Sequence, residues 1–155
     1  MQGNENILAK LNELLADELT AINQYMVHSE MCADWGYGKL HEAIEKRAIT
    51  EMKHAERLIG RILFLNGKPT VSQLNEINIG PEVEPQLSND LASEYMAVKG
   101  YNAGIQLAGQ LDDNGSRAML EEILQDEEEH VDWLEAQLDQ IGQIGIQNYL
   151  IEQID

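Results

Sequence analysis

The sequence predicts an all-α protein: a four-helix bundle with one long crossover between the second and third helices and a short fifth C-terminal helix. Four long segments carry apolar residues at alternating steps of three and four, the spacing of a helix packed on one side. All three prolines fall between positions 69 and 85, which marks one long connection. The 155 residues suffice for one buried core, so a single domain is expected over 1–155.

The first two helices are predicted at about 5–35 and 38–66, separated by the turn DWGYGK with its two glycines. The apolar stripe of the first helix comprises Leu8, Leu11, Leu15, Ile22 and Tyr25. The stripe of the second comprises Ile44, Ala48, Ala55, Leu58, Ile62 and Leu65. These two helices form the first hairpin of the bundle.

The one long connection covers residues 66–86, and its length predicts that the second and third helices run parallel. The third helix is expected at about 84–111 and the fourth at about 115–141, with a break at DDNGS. Their stripes comprise Leu87, Leu91, Val98, Tyr101 and Ile105, then Leu120, Leu124, Val131, Leu134, Leu138 and Ile141. The fifth helix is expected in IGIQNYLIEQID, after the glycines at 142 and 145.

Composition narrows the possible partners. Twenty-eight acidic and ten basic residues give a net charge of -18, which repels nucleic acid and anionic lipid surfaces and favours cations. The single cysteine, Cys32, excludes an internal disulfide and a cysteine-based metal site. The N-terminal residues show no signal peptide, and no segment has the roughly 20 apolar residues of a membrane span. A cytoplasmic location is therefore expected.

Each apolar stripe is interrupted in its middle by one glutamate. The four positions are Glu18, Glu51, Glu94 and Glu127. An isolated ionised carboxylate in a bundle interior costs several kcal/mol, and neighbouring carboxylates raise one another's pKa. The pattern therefore requires positive charge inside the bundle.

Two histidines, His54 and His130, lie three residues after two of these glutamates and face the same side of their helices. Two imidazolium ions would leave negative charge unbalanced, whereas two divalent metal ions would balance four carboxylates. One glutamate from each of two helices, with Glu-x-x-His from each of the other two, is the arrangement of di-iron and di-manganese sites. The predicted ligands are Glu18, Glu51, His54, Glu94, Glu127 and His130.

An internal repeat supports this two-metal centre. An offset of 76 positions maps Glu18 onto Glu94, Tyr25 onto Tyr101, Glu51 onto Glu127 and His54 onto His130. Two hairpins related by a pseudo-twofold axis would each supply half of the ligands. A lone Glu-x-x-His is better interpreted as a solvated helix face, but that alternative requires all these positions to coincide by chance.

Residues around the predicted ligands allow two interpretations. Tyr25 and Tyr101 each lie one heptad after a ligand, where a phenol either hydrogen-bonds a ligand carboxylate or packs as a core aromatic. For Tyr101 the core interpretation is at least as good. Glu128 and Glu129 face away from the stripe and are expected to be solvated.

The ligand set suits iron, manganese, cobalt or zinc, because it mixes carboxylate with imidazole and has no thiolate. Iron is favoured, since carboxylate-rich sites of this type support two-electron reaction with dioxygen or peroxide. The expected chemistry is oxidation of Fe(II) by dioxygen or hydrogen peroxide at a pair of iron ions.

One hairpin also carries an apolar outer face. It comprises Leu19, Met26, Ile49, Met52, Ile59 and Leu63. The repeat equivalents of the four second-helix members are Gln125, Glu128, Glu135 and Asp139. An exposed apolar face on one hairpin predicts a symmetric dimer. Met52 at its centre either packs in the interface or supplies a thioether to a metal such as haem iron; spacing alone favours packing.

The chain resembles the bacterioferritins, the haem-containing ferritin branch, along essentially its whole length. The stretches that carry the resemblance are LADELTAINQY, EMKHAERLIGRILFL, DEEEHVDWLEAQL and IGIQNYL. It implies a ferritin-like bundle and a ferroxidase centre with two Fe ions per subunit, bridged by Glu51 and Glu127. It further implies dimers assembling to a 24-mer iron-storage shell, the fifth helix near fourfold channels, and haem b shared between two subunits on Met52. A ferredoxin-type reductant would release the stored iron.

One departure from the family concerns an auxiliary iron site on the cavity surface. Some members use a histidine and an aspartate where this chain has Lys46 and Thr50. The auxiliary site is therefore expected to be absent or altered, and iron would pass through the dinuclear centre, with His130 as a candidate mobile ligand. The alternatives are a rubrerythrin-like di-iron peroxidase, a manganese catalase, and a structural bundle without metal.

Overall fold

A computed structural model describes all 155 residues and contains five α-helices and no strand. The helices are α1 (Glu5–Asp34), α2 (Gly38–Phe64), α3 (Val83–Gln110), α4 (Asn114–Ile144) and α5 (Ile146–Ile151). The predicted all-α bundle with a short fifth helix is confirmed. None of the helices carries an apolar stretch long enough to span a membrane.

The end of α4 and the start of α3 follow the local preferences of glycine and proline. The fourth helix, expected to end at about residue 141, continues through Gly142 to Ile144, and the chain turns at Gly145, whose φ is 82°. A residue without a Cβ adopts that left-handed conformation at no steric cost. Pro85 lies in the first turn of α3, where its missing N–H would have had no helical partner.

The hydrogen bonds between α1 and α3 establish the topology. Tyr25 of α1 donates to Glu94 of α3, and Tyr101 of α3 donates to Glu18 of α1, so these two helices run antiparallel. The short turn after Asp34 makes α1 and α2 antiparallel as well. Consequently α2 and α3 run parallel, as the long connection predicted.

The core is divided into two apolar layers. One layer packs the first half of α1 against the second half of α2 and includes Leu11, Leu58 and Leu120. The other lies at the opposite end of the bundle and includes Ile44, Leu87 and Leu134. The four interior glutamates lie between these layers, so apolar packing on both sides fixes the helices at that level.

The crossover segment between α2 and α3 is held by polar side chains of α1. Backbone N–H groups of residues 70, 75, 78 and 80 donate to the side chains of Asn12, Thr20, Gln24 and His28. His28 accepts through Nε2, so its Nδ1 carries the proton and donates to Asp90 at 2.8 Å. These contacts attach the long connection to the outside of the bundle.

The fifth helix docks at one end of the bundle. Tyr149 is buried, and its hydroxyl donates to Gln137 at 2.6 Å. The backbone N–H of Lys39 donates to the carbonyl of Gln153 at 3.1 Å. The C-terminal segment therefore covers the start of α2.

Candidate metal centre

The four glutamates and two histidines converge in the polar layer of the bundle. Glu18, Glu51, Glu94 and Glu127 are at most 2% exposed, and His54 and His130 are 2% and 7% exposed. Glu128 and Glu129 are exposed, as predicted from their position off the stripe. Helical spacing explains the convergence, because each ligand position belongs to a stripe whose other members pack in the core.

The ligand atoms form two groups, each with its atoms within 4.8 Å of one another. One group contains Glu18, Glu51, His54 and Glu127, and the other contains Glu51, Glu94 and His130. Glu51 belongs to both groups. Two adjacent ion positions that share one carboxylate follow from this geometry.

Two buried carboxylate oxygens of the cluster, Oε2 of Glu18 and Oε2 of Glu94, have no hydrogen-bond partner. The ligand nitrogen Nδ1 of His130 lies 3.0 Å from the other oxygen of Glu94, Oε1. Buried polar atoms in folded proteins are nearly always satisfied, and an unsatisfied one costs about 1–3 kcal/mol. Carboxylate oxygens and imidazole nitrogens are donors suited to Fe(II), Mn(II), Co(II) or Zn(II). The residues present therefore fit a pair of such ions.

Both tyrosines contact the glutamates. Tyr25 donates its hydroxyl to Oε1 of Glu94, and Tyr101 donates to Oε1 of Glu18. Both phenols are fully buried, so Tyr101 is at once a core aromatic and a hydrogen-bond donor to the cluster. Each bond leaves the second oxygen of its glutamate free to face the interior.

The two histidines have different surroundings. Nε2 of His54 lies 2.8 Å from Oδ2 of Asp126, which orients the ring. The repeat equivalent of Asp126 is Thr50, and its hydroxyl instead donates to the carbonyl of Lys46. The ring of His130 lies edge-on to Tyr25 at 5.5 Å and stacks on Trp133 at 6.0 Å. Both rings face ligand carboxylates through Nδ1, but only His54 has a carboxylate at its outer nitrogen Nε2.

Arg47 is a member of the site that the stripe analysis missed. Its Nη2 lies 2.6 Å from Oε1 of Glu51, 3.1 Å from Oε2 of Glu127 and 3.8 Å from Oε2 of Glu94. Its Nη1 donates to the carbonyl of Asp126 at 3.0 Å. The available sequence signal was its position one turn before Glu51, the spacing of an Arg–Glu pair on a helix.

The electrostatics of the cluster follow from burial and like charge. Burial, and then repulsion from Glu51, raises the pKa of Glu18 well above its usual range. Burial and the other glutamates raise the pKa of Glu127 in the same way. Burial alone would raise the pKa of Glu51, but hydrogen bonds from Glu18 and His54 and the charge of Arg47 lower it.

The histidine that faces three glutamates is strongly basic. Burial alone would lower the pKa of His54, but Glu18 and Glu51 raise it to about 10. Without metal ions, His54 is therefore a cation at neutral pH. It joins Arg47 in offsetting the negative charge of the cluster.

A cavity of about 210 Å³ reaches the cluster from the side of the crossover segment. Its lining includes Glu18, Glu51 and Glu94 inside and the exposed residues Glu76 and Met96 outside. Ligand pockets for drug-sized molecules have volumes of roughly 300–1,000 Å³. The cavity therefore suits a small ion or a diatomic molecule, and its lining is acidic.

The apolar outer face predicted for the first hairpin is only partly solvent-facing. Met26, Ile49, Met52 and Leu63 are exposed, by 44–57%. Leu19 and Ile59 are half-buried, because they pack against the core. Met52 presents its thioether in the middle of the exposed set.

Comparisons with known proteins agree with the helical fold. The family model for the ferritin-like domain matches residues 8–144. Bacterioferritin from Mycobacterium leprae is 42% identical over 149 residues, which are 96% of this chain and 94% of that protein. Bacterial ferritin from Synechocystis is 43% identical over 155 residues and 99% of both chains, and bacterioferritin from Brucella melitensis is 38% identical over 96% and 92%.

Proposed function

The chain belongs to the bacterioferritin family, and we propose that it stores iron by oxidising Fe(II) at the two-ion cluster and depositing ferric mineral inside an oligomeric shell. The observation that carries the proposal is the cluster itself. Four buried glutamates and two buried histidines form two ligand groups around a shared Glu51, and one oxygen each of Glu18 and Glu94 has no hydrogen-bond partner. A bundle without a metal role would have no reason to retain such costly groups.

In this proposal two Fe(II) ions are the substrate. Glu18 and His54 hold one ion, Glu94 and His130 hold the other, and Glu51 and Glu127 bridge them. The iron pair gives two electrons to dioxygen, which takes two protons and becomes hydrogen peroxide. With hydrogen peroxide as the oxidant, two electrons and two protons give two water molecules.

The surrounding residues hold the ligands in place. Tyr25 and Tyr101 each hydrogen-bond one oxygen of Glu94 and Glu18, which fixes the carboxylate and leaves its second oxygen without a protein partner. Asp126 fixes the ring of His54 through Nε2. His130 has no such carboxylate, and we propose that it is the mobile ligand through which oxidised iron leaves toward the cavity of the shell.

The storage part of the proposal rests on assembly. The exposed apolar set around Met52 would pair two subunits, and such dimers would build a 24-subunit shell. Electrons for iron release would come from a ferredoxin-type reductant. Size-exclusion chromatography with light scattering tests this step. A small oligomer would instead support a rubrerythrin-like peroxidase.

A haem group is the second cofactor that the family implies. Met52 fits it, because a thioether is a soft donor and its exposed apolar surroundings match a porphyrin. We propose that Met52 and its copy in a second subunit hold haem b on the dimer axis. When bound, haem supplies one-electron redox chemistry. A Met52→Ala variant is expected to lose the Soret band of the purified protein while its oligomer size is unchanged.

Rapid mixing of Fe(II) with the metal-free protein in air tests the oxidation step. A fast rise in ferric absorbance, saturating near two Fe(II) per subunit, is expected. Glu94→Ala should remove the fast phase, because it deletes a ligand of the second ion. Glu128→Ala removes the same charge from an exposed position and should leave the rate unchanged. An unchanged fast phase in Glu94→Ala would contradict the proposal.

A further inference from the structure

The position of Arg47 differs between the two halves of the internal repeat. Adding the offset of 76 to Arg47 gives Ile123, which is a fully buried core residue. The first hairpin therefore places a cation where the second places an apolar side chain. Because guanidinium remains charged at any accessible pH, this asymmetry is permanent.

Glu51 and Glu127 each divide their two oxygens between His54 and Arg47. Oε2 of Glu51 and Oε1 of Glu127 lie 3.5 and 3.0 Å from Nδ1 of His54. The opposite oxygens, Oε1 of Glu51 and Oε2 of Glu127, lie 2.6 and 3.1 Å from Nη2 of Arg47. A carboxylate that bridges two metal ions presents one oxygen to each ion. The guanidinium therefore lies on the side of these carboxylates that faces away from the His54 position.

The third contact of Arg47, with Glu94, shows that the guanidinium lies at the second ion position, the one that contains His130. Nη2 of Arg47 is 3.8 Å from Oε2 of Glu94, a buried oxygen with no hydrogen-bond partner. Glu94 belongs only to the ligand group that contains His130. A guanidinium has no lone pair to offer a metal ion and repels a cation at this distance. Arg47 and the second ion therefore compete for the same oxygens.

We propose that Arg47 is an internal counter-cation that occupies the place of the second ion, so that the Glu94–His130 position fills only after the guanidinium moves away. This inference rests on the proposed two-metal function. Its consequence is ordered filling: the His54 position binds first, because an imidazolium can release its proton and offer a nitrogen to the ion whereas a guanidinium cannot, and the second position binds more weakly. The displaced side chain has a route outward, because Arg47 is already partly exposed and contacts the main chain of Asp126.

The test is calorimetric titration of the metal-free protein with Zn²⁺, which binds such ligands without redox chemistry. Wild type is expected to bind two ions per subunit, the second more weakly than the first. Arg47→Gln should tighten the second step by roughly ten- to hundredfold, the equivalent of one hydrogen bond to a charged group. The first step should change by less than about threefold, because Arg47 leaves the His54 side free.

Arg57→Gln is the matched control. Arg57 lies on the same helix, and its guanidinium pairs with the exposed Glu122, so the substitution makes the same change in net charge away from the cluster. It should leave both steps unchanged. An equal or weaker second step in Arg47→Gln would overturn the proposal for Arg47. Absence of zinc binding in wild type and control alike would instead overturn the two-metal function.

Two further measurements keep the proposal testable if Arg47→Gln folds poorly without metal. The metal-free variant should melt roughly 3–12 °C below wild type, and zinc should remove most of that difference. In a crystal structure of the wild-type protein with two zinc ions, Nη2 of Arg47 should lie more than about 4 Å from Glu51 and Glu127. A guanidinium still in contact with both glutamates beside two bound ions would refute displacement.

Discussion

Replacing Glu18 with glutamine should change stability in opposite directions with and without metal. Glu18 is 2% exposed, its Oε1 accepts from Tyr101 and its Oε2 has no partner. Glutamine has the same shape and keeps an acceptor for Tyr101, but it carries no charge into the interior. The metal-free variant should therefore be more stable than wild type, although it lacks a ligand.

The expected gain in stability of the metal-free variant follows from the unpartnered Oε2 of Glu18. Leaving one buried acceptor unpaired costs about 1–3 kcal/mol. For a chain of this size, 1 kcal/mol corresponds to a shift of about 2–4 °C, so the metal-free variant should melt roughly 2–12 °C higher. With Zn²⁺ at 100 times its dissociation constant, each wild-type site gains about 2.7 kcal/mol. The variant should lose most of that gain at the Glu18 position.

The pKa of Glu18 also sets the pH dependence of this difference. The pKa of Glu18 in the folded protein is raised above its value of 4.5 in the unfolded chain. Between these two pKa values the folded protein binds a proton that the unfolded chain does not, and below pH 4.5 both states are protonated. Wild type loses stability as pH rises from 4.5 through the folded pKa, whereas glutamine does not titrate. The advantage of Glu18→Gln should therefore vanish near pH 4 and grow toward neutral pH.

Differential scanning calorimetry in chelator and in excess Zn²⁺ measures both effects. Glu128→Gln, an exposed neighbour of a ligand, controls for net charge and should shift the melting temperature little in either condition. A Glu18→Gln protein that is less stable without metal would refute the reasoning. So would one that zinc stabilises as strongly as wild type.

Three further predictions concern residues around the cluster and the crossover. Asp126→Asn should weaken zinc binding roughly 10–100-fold by calorimetry, because Nε2 of His54 loses its carboxylate; an unchanged affinity would contradict that role. The metal-free protein should lose stability as pH rises from 6.5 to 10. The pKa of His54 is about 10 in the folded protein, so over this range the folded state binds a proton that the unfolded chain has lost. Urea unfolding midpoints that rise with pH over this range would contradict the prediction. Asp90→Asn should speed proteolysis of the crossover segment while the bundle stays folded. The substitution removes the carboxylate that orients His28 toward the N–H of Gly80. Limited digestion at the wild-type rate would show that this carboxylate does not hold the crossover segment.

The end of α4 shows what a local sequence signal can and cannot predict. Two glycines, at 142 and 145, precede the fifth helix, yet Gly142 lies inside α4 and Gly145 makes the turn. Either glycine permits the turn chemically. The turn at Gly145 is followed by a buried Tyr149 that bonds Gln137 of α4, a tertiary contact that the local sequence does not show.

Arg47 and the crossover contacts escaped sequence analysis for a related reason. Arg47 lies off the apolar stripe, and a long flexible side chain at such a position normally extends into solvent. Only the arrangement of α2, α3 and α4 brings three carboxylates within its reach. The hydrogen bonds that attach the crossover segment to α1, from Asn12 to His28, likewise join residues more than fifty positions apart.

The sequence by itself determined the helical bundle and the inward placement of the four glutamates and two histidines. Helical periodicity is a local property, and a residue on an apolar stripe must face the core whatever the helix packs against. Tertiary structure alone decided which oxygens of Glu51 and Glu127 face His54 and which face Arg47, and which histidine has a carboxylate at its Nε2. Those choices depend on distances of a few Å between helices, and no spacing along one chain segment encodes them.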